Sequence, residues 1–171
     1  KDVIENFLAG ITIILQRPFV IGDAVRFGDV EGMVEDVRVR DTIIRTYDGR
    51  KVFVPNRALF SGVVANNTAF GKRRFDFKVP LEYSAEAERA ACLAEEVLKD
   101  LDGVLPDPPP MAIVEELGES AVILRVYFWI DPASHNPPQL KSLAISAVKR
   151  RLEEEGFRIP YPILTVIPAG K

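Results

Sequence analysis

The sequence predicts an α+β protein made of an amphipathic helix, a small β barrel that is closed or nearly closed, and a second domain of mixed helices and strands. Three observations predict it. Apolar residues recur at helical spacing at the start of the chain, short strand patterns follow, and the remainder reads as β-α-β-β-α-β, the split βαβ arrangement. With 171 residues, of which 47% are hydrophobic and 27% charged, the chain is long enough to bury a core.

The leading helix should extend from Lys1 to Gln16, because Pro18 lacks the backbone donor of a helix interior and pushes Arg17 toward extended geometry. Its large apolar residues fall on one stripe: Val3, Ile4, Phe7, Leu8, Ile11, Ile14 and Leu15. Periodicity alone favours a core helix of a soluble domain, with a helix at a membrane interface, or the tail of a longer helix, as alternatives. Because the chain starts inside the helical pattern and without an initiator Met, we expect a fragment whose preceding residues are missing.

Five strand patterns follow, at residues 24–27, 30–39, 42–46, 52–54 and 62–66. A change of apolar spacing between Val34 and Val37 predicts a bend or bulge in the second. Asp48-Gly49 predicts a hairpin, since both positions tolerate positive φ. Pro55 ends the fourth strand and Asn56 begins a short helical turn. The residues expected in the core are Val34, Val37, Ile44, Val52 and Val54.

The second domain begins after a polar hinge at residues 67–72. We expect a strand around residues 75–79, a helix capped by Ser84, and two strands at residues 111–117 and 121–130 joined by Gly118-Glu119. Asn136 should cap a second helix that ends at Gly156. A final strand is expected at residues 163–167.

Few residues suggest chemistry. His135 is the only histidine and is interpreted as a solvated loop residue, and Cys92 as a small buried apolar group. Residues 149–151 and 153–155 carry opposite charges at helical spacing and should pair with each other. No phosphate-binding loop, zinc spacing or nucleophile motif is present, so we expect no enzyme, cofactor or metal. The net charge of -3 argues against nucleic acid as a partner.

Several short motifs occur together in a fixed order. They are Asn6, Ala9-Gly10, Arg17-Pro18-Phe19, Gly22-Asp23, Gly28 to Gly32, Val34, Arg45-Thr46, Asp48-Gly49, Val54-Pro55-Asn56, Gly62, Asn66, Arg73-Arg74 and Pro160-Tyr161-Pro162. In this combination the chain resembles the small-conductance mechanosensitive channel family over essentially its whole length. It departs from the bacterial prototype at Asp2, Glu5, Gln16 and Arg57.

The resemblance implies four segments. Residues 1–17 match the lower half of the pore helix at the membrane surface, and residues 18–67 an Sm-like β domain. Residues 68–160 match a ferredoxin-like α/β domain, and residues 161–171 the C-terminal strand of an oligomeric β-barrel. Fold alone leaves open a soluble Sm-like/ferredoxin-like protein that binds nucleic acid or acts as a small hydrolase.

The function implied by the resemblance is that of a tension-gated membrane channel that releases ions and small solutes on hypo-osmotic shock. The implied partners are six further copies in a homoheptamer, the lipid bilayer and the permeating solutes. The implied location is the inner (plasma) membrane, with this segment forming a vestibule mostly on the cytoplasmic side.

The resemblance also assigns roles to residues. The gating, membrane-proximal helix contains Asn6, Phe7, Leu8, Gly10 and Ile11. The corner between helix and barrel contains Arg17, Pro18, Phe19, Gly22 and Asp23. The structural turns are Asp48, Gly49, Pro55 and Asn56, and the oligomer strand contains Ile163, Leu164 and Val166.

Overall fold

The computed structural model describes residues 2–161, which form two compact units, one ending at Gly71 and the other beginning at Lys72. The first unit contains α1 (Asp2–Gln16), β1 (Ala24–Phe27), β2 (Val30–Val37), β3 (Asp41–Thr46), β4 (Lys51–Pro55), α2 (Asn56–Ser61) and β5 (Val64–Asn66). The second contains β6 (Arg73–Leu81), α3 (Ala87–Lys99), β7 (Met111–Leu117), β8 (Val122–Ile130) and α4 (Pro137–Glu154).

The first unit is built on an antiparallel five-stranded sheet with the strand order β4-β3-β2-β1-β5. Within residues 2–161 no ladder joins β4 to β5, so the sheet is open and the closed form of the predicted barrel is wrong. Its core consists of Ile13, Phe19, Val25, Val34, Ile44, Val54 and Leu59. Val37 and Val52, also predicted as core, are partly buried against this cluster.

The predicted irregularity in β2 is confirmed, because the pairing of β2 with β3 shifts between Val34 and Asp36. The strand ends at Val37 rather than at residue 39. The predicted hairpin is also confirmed: β3 pairs with β4, and the amide of Gly49 donates to the carbonyl oxygen of Thr46 at 3.0 Å. Gly49 has a φ of +87°, which glycine adopts without strain.

The end of α1 differs from the prediction. Arg17 has a φ of +49°, in the left-handed region, where an extended conformation was expected. Its amide donates to the carbonyl oxygen of Ile13 at 2.8 Å, closing the last turn of α1. A left-handed residue ends a helix by reversing the chain. Here the reversal places Phe19 in the core, where it is 4% exposed, and this burial offsets the strain at Arg17.

The second unit has an antiparallel sheet with the strand order β6-β8-β7. Side chains of β8 alternate between buried and half-buried, so one face carries the core and the other is open. The core contains Phe77, Val79, Leu81, Ala90, Leu93, Ala94, Leu98, Ala112, Leu124, Val126, Phe128, Ile130, Leu140, Ala144, Val148 and Leu152. The described elements follow the predicted order β-α-β-β-α. The final predicted strand, with Ile163, Leu164 and Val166, lies outside the described residues.

Two details of the helices differ from the predictions. Ser84 does not cap α3, because the helix begins at Ala87 and its N-cap residue is Glu86, whose side chain makes no capping hydrogen bond. Cys92 is exposed rather than buried, since the buried face of α3 is formed by Ala90, Leu93, Ala94 and Leu98, and position 92 lies off that face.

At α4 the predictions hold at both ends, while the interpretation of His135 needs correction. Asn136 accepts a hydrogen bond from the amide of Gln139 at 3.2 Å, and Gly156 follows the helix with a φ of +85°.

His135 is half-buried rather than fully solvated. Its ring lies so close to Gly103 that a Cβ there would come within 2.9 Å of the ring.

Candidate functional site

The candidate site is the junction of α1 with α2 and with the segment between β2 and β3, which we call the helix–sheet junction. Only Ala9, Gly10 and Ile13 of α1 are buried. The seven residues of the apolar stripe are 39% to 76% exposed: Val3, Ile4, Phe7, Leu8, Ile11, Ile14 and Leu15. The expectation of an ordinary core helix is therefore wrong for this chain on its own. The helix packs through Ala9, Gly10 and Ile13 and turns the seven residues of the apolar stripe outward.

Gly10 permits the close contact at the junction. A Cβ at this position would lie 2.2 Å from the carbonyl oxygen of Val39 and 2.5 Å from Nδ2 of Asn56, which is less than any normal van der Waals separation. A side chain at position 10 would thus push α1 away from the sheet. Glycine is required here for space.

Asn56 is the polar centre of the junction and is completely buried. Its Nδ2 donates to the carbonyl oxygen of Arg38 at 2.7 Å, and its Oδ1 accepts from Oγ1 of Thr42 at 2.8 Å. Its own amide donates to the carbonyl oxygen of Arg40 at 3.1 Å. A buried amide with these partners is satisfied, so Asn56 ties α2 to the start of β3 and to the loop before it.

Asn6 and Arg57 connect the first turns of α1 to α2. Oδ1 of Asn6 accepts from the amide of Arg57 at 3.0 Å. This amide is one of the first in α2 and lacks a partner within its helix, and Pro55 at the N-cap position makes no side-chain capping bond. Asn6 thus supplies from α1 an acceptor that α2 itself does not provide.

The guanidinium of Arg57 forms ion pairs with two acidic residues of α1. Its Nη1 contacts Oε2 of Glu5 and lies 3.3 Å from Oδ1 of Asp2. In the sequence these three residues stood out only as departures from the prototype. Nothing in a linear pattern predicts that charges more than fifty positions apart meet, so sequence reasoning missed this cluster.

The corner after α1 is fixed through Asp23. One carboxylate oxygen accepts from the amide of Val20 at 2.9 Å and from Nδ2 of Asn66 at 2.7 Å, and the other accepts from Oγ1 of Thr68 at 3.1 Å. Gly22, with a φ of +95°, donates from its amide to the carbonyl oxygen of Val34 at 2.8 Å. The corner is thereby anchored to both sides of β1.

The residues assigned by resemblance fall into separate places. Asn6, Gly10 and Asn56 meet at the helix–sheet junction, and Pro55 lines a cleft beside Asn6. The outward face of α1 carries Phe7, Leu8 and Ile11. Asp48 and Gly49 form the tip of the β3–β4 hairpin, where Nε of Arg50 lies 2.8 Å from Oδ2 of Asp48.

Comparison with protein families identifies the class of protein that this fold and junction define. Residues 2–69 match the family described as "Mechanosensitive ion channel, beta-domain", and residues 74–159 match "Mechanosensitive ion channel MscS, C-terminal". The class is thus that of mechanosensitive ion channel proteins. Since the two matches cover most of the chain, it belongs to the MscS family.

Relatives are found in archaea. An uncharacterised MscS family protein of Archaeoglobus fulgidus is 35% identical over 162 residues, covering 95% of this chain and 56% of the relative. The small-conductance mechanosensitive channel MscMJ of Methanocaldococcus jannaschii is 30% identical over 170 residues, covering 97% of this chain and 48% of the relative. The chain therefore spans about half the length of these relatives.

Solved structures show the same fold. The closed-state crystal structure of Helicobacter pylori MscS matches with a TM-score of 0.91 at 22% identity, covering 99% of this chain and 67% of that one. The structure of Arabidopsis thaliana MSL1 matches with a TM-score of 0.79 at 20% identity, covering 95% and 60%. Among the helices of residues 2–161, none combines the length and apolar character needed to cross a bilayer.

Proposed function

We propose that this chain is part of a subunit of a tension-gated membrane channel that releases ions and small solutes on hypo-osmotic shock. Membership of the MscS family supports the channel, as does the relative named as a small-conductance mechanosensitive channel. The observation that carries the proposal is the outward apolar stripe of α1. An exposed apolar surface of this length needs a covering surface, and a channel provides one in lipid and in neighbouring subunits.

The proposed setting is a homoheptamer in the inner (plasma) membrane. The two units would form the wall of a vestibule on the cytoplasmic side, and the permeating ions and solutes would pass through it. Ile163, Leu164 and Val166 would pair with the same strand of neighbouring subunits, because symmetric pairing removes the free edges of a short strand.

In the proposed mechanism α1 couples tension to the soluble units. Phe7, Leu8 and Ile11 pack against neighbouring subunits in the closed state, and tension shifts the population away from this packing. The corner transmits the movement because Pro18 fixes one dihedral angle and Phe19 is held in the sheet core.

The paired charges of the open face of the β6-β8-β7 sheet give no support to the nucleic-acid alternative. Two nitrogens of Arg125 lie 2.9 Å and 2.6 Å from Oε1 of Glu115, and Arg125 also contacts Asp76. Nζ of Lys78 lies 3.0 Å from Oε2 of Glu115. Cations neutralised in this way are not available to phosphates, and binding to nucleic acid depends on such cations.

The test is patch-clamp recording of the full-length parent protein in liposomes under applied pressure. We expect tension-dependent openings, and Phe7→Ala or Leu8→Ala should shift the pressure threshold while leaving the unit conductance unchanged. Leu117→Ala, at an exposed apolar residue of the second unit, is the control and should leave the threshold in place. If no variant of α1 moves the threshold while assembly is normal, the helix is a passive spacer. A parent protein without tension-dependent current would rule out the channel proposal itself.

A further inference from the structure

The first two turns of α1 are attached to α2 by polar contacts. None of residues 2–8 is buried, whereas Ala9, Gly10 and Ile13 are. The polar contacts that reach α2 from these turns are the hydrogen bond between Asn6 and the amide of Arg57 and the ion pairs of Arg57 with Glu5 and Asp2. Apolar burial therefore holds the second half of α1, and charge and hydrogen bonding hold the first half.

We propose that Arg57, Glu5 and Asp2 form an ionic clasp that holds α1 against α2, and that ionic strength sets how easily α1 detaches. The proposal rests on the proposed channel function for its consequence, which is that the clasp opposes the displacement of α1 under tension. The clasp makes the tension threshold depend on the salt concentration on the side of the membrane that these units face.

The two acidic partners contribute unequally. The side chain of Glu5 is 31% exposed and contacts the guanidinium directly, whereas that of Asp2 is 85% exposed and its oxygen lies 3.3 Å away. Screening by salt is strongest for exposed charges and weaker for partly buried ones. Glu5 is therefore the main partner and Asp2 a weaker one.

The charges of the clasp predict that added salt weakens it. A single cation faces two carboxylates, so opposite charges attract, and added ions weaken this attraction. The Debye length falls from about 10 Å at 0.1 M salt to about 3 Å at 1 M. The hydrogen bond from the amide of Arg57 to Asn6 joins neutral groups, so it responds far less. Detachment of the first turns of α1 should thus become easier as salt rises.

Hydrogen exchange on the full-length parent protein tests the clasp directly. The amide of Arg57 is protected by Asn6 of α1, so its exchange rate reports detachment. We expect this amide to exchange about two to five times faster in Arg57→Gln or Glu5→Gln, the range of an exposed ion pair, and with a smaller change in Asp2→Asn. The double variant Glu5→Gln with Arg57→Gln should exchange no faster than Arg57→Gln alone. Lys51→Gln breaks another exposed pair in the same unit, with Glu35 at 3.3 Å, and is the matched control.

Raising KCl from 0.1 M to 1 M should accelerate the exchange of this amide in the parent but much less in Arg57→Gln. In patch-clamp recordings the same change should lower the tension threshold of the parent and leave that of Arg57→Gln unmoved. If the exchange rate of the amide of residue 57 changed neither with salt nor in Arg57→Gln, the clasp would be ruled out, whether or not the channel opens. A clasp seen by exchange in a protein without tension-dependent current would instead count against the proposed function alone.

Discussion

At the scale of single residues, position 10 sets the distance between α1 and the sheet. The space beside Gly10 is filled by the backbone of Val39 and by the buried side chain of Asn56. Neither neighbour can move freely, because one is main chain and the other is held by two side-chain hydrogen bonds. The packing of α1 therefore depends on the absence of a single methyl group.

Gly10→Ala should destabilise the first unit by about 1 to 3 kcal/mol, even though alanine is the better helix former. The reason is that the added methyl group forces α1 away from the main chain of Val39. Denaturant unfolding with a probe in the first unit measures the change, and Gln16→Ala, on the exposed last turn of the same helix, is the control. Equal stability of the two variants would contradict the close contact.

Glu115 is the second residue with a specific energetic role. Hydrogen bonds from Arg125 and then from Lys78 hold the pKa of Glu115 below its ordinary value of 4.5. The same carboxylate raises the pKa of Lys78. Glu115 lies where the pairing of β7 with β8 shifts by one residue, and such bulges redirect a side chain.

The stability of the second unit should therefore fall in acid. A carboxyl group whose pKa is lowered by folding contributes stability above its unfolded pKa, and this contribution is lost as the pH falls through the folded value. For Glu115 the loss begins near pH 4.5 and continues below it. Thermal unfolding between pH 7 and pH 3 should show a smaller acid-dependent loss of stability in Glu115→Gln than in the unaltered protein. An unchanged pH profile would mean that the network contributes nothing to stability.

At the scale of elements, the sheet of the first unit depends on residues from several strands and from α1. Ile44 of β3 and Val34 of β2 are paired across the ladder, and both are almost completely buried. Ile13 of α1 and Phe19 of the corner join the same cluster. The core of the sheet and the attachment of the second half of α1 are thus one apolar cluster.

Ile44→Ala should cost about 2 to 4 kcal/mol of unfolding free energy, because it removes buried methyl groups and leaves a cavity. Val63→Ala, at an 88% exposed position, should change stability by less than about 0.5 kcal/mol. Denaturant unfolding measures the change in unfolding free energy for both variants. Hydrogen exchange adds a check of register, since lack of protection on both strands beside Asp48 and Gly49 would contradict the pairing of β3 with β4.

At the scale of the whole molecule, the outward apolar stripe of α1 is an exposed surface that the rest of residues 2–161 leaves uncovered. The seven stripe residues face away from the core of their own unit. Burial of apolar surface is the main driving force of association, so this surface is where assembly and lipid contact are expected. The heptamer proposed above would provide both.

We expect seven subunits for the full-length parent protein solubilised in detergent, measured by light scattering with correction for bound detergent. Packing between subunits should involve the stripe, so Leu8→Asp should reduce the assembled fraction, while Gln16→Asp, on the same helix but outside the stripe, should not. A monomer or dimer of the unaltered parent would rule out the heptamer.

Much of the secondary structure was readable from the sequence because the signals are local. Pro18 marks the end of α1, Asp48-Gly49 marks the hairpin, and Asn136 marks the start of α4, each through backbone chemistry within a few residues. The wrong predictions for Ser84 and Cys92 also came from local signals. Ser84 is a good capping residue that the chain places in a turn, and Cys92 follows a helical pattern whose buried face lies elsewhere.

The sequence by itself determined the α+β class and the order of the described elements, which follow from periodicity and turn residues, and its motifs indicated the family through their resemblance to a known one. Only the tertiary structure decided which face of α1 is buried, because an amphipathic pattern specifies a stripe but not what covers it. It also decided that Gly10 meets Val39 and Asn56, and that Arg57 meets Glu5. Those contacts join residues far apart in the chain, and their distances are set by packing, which no local pattern encodes.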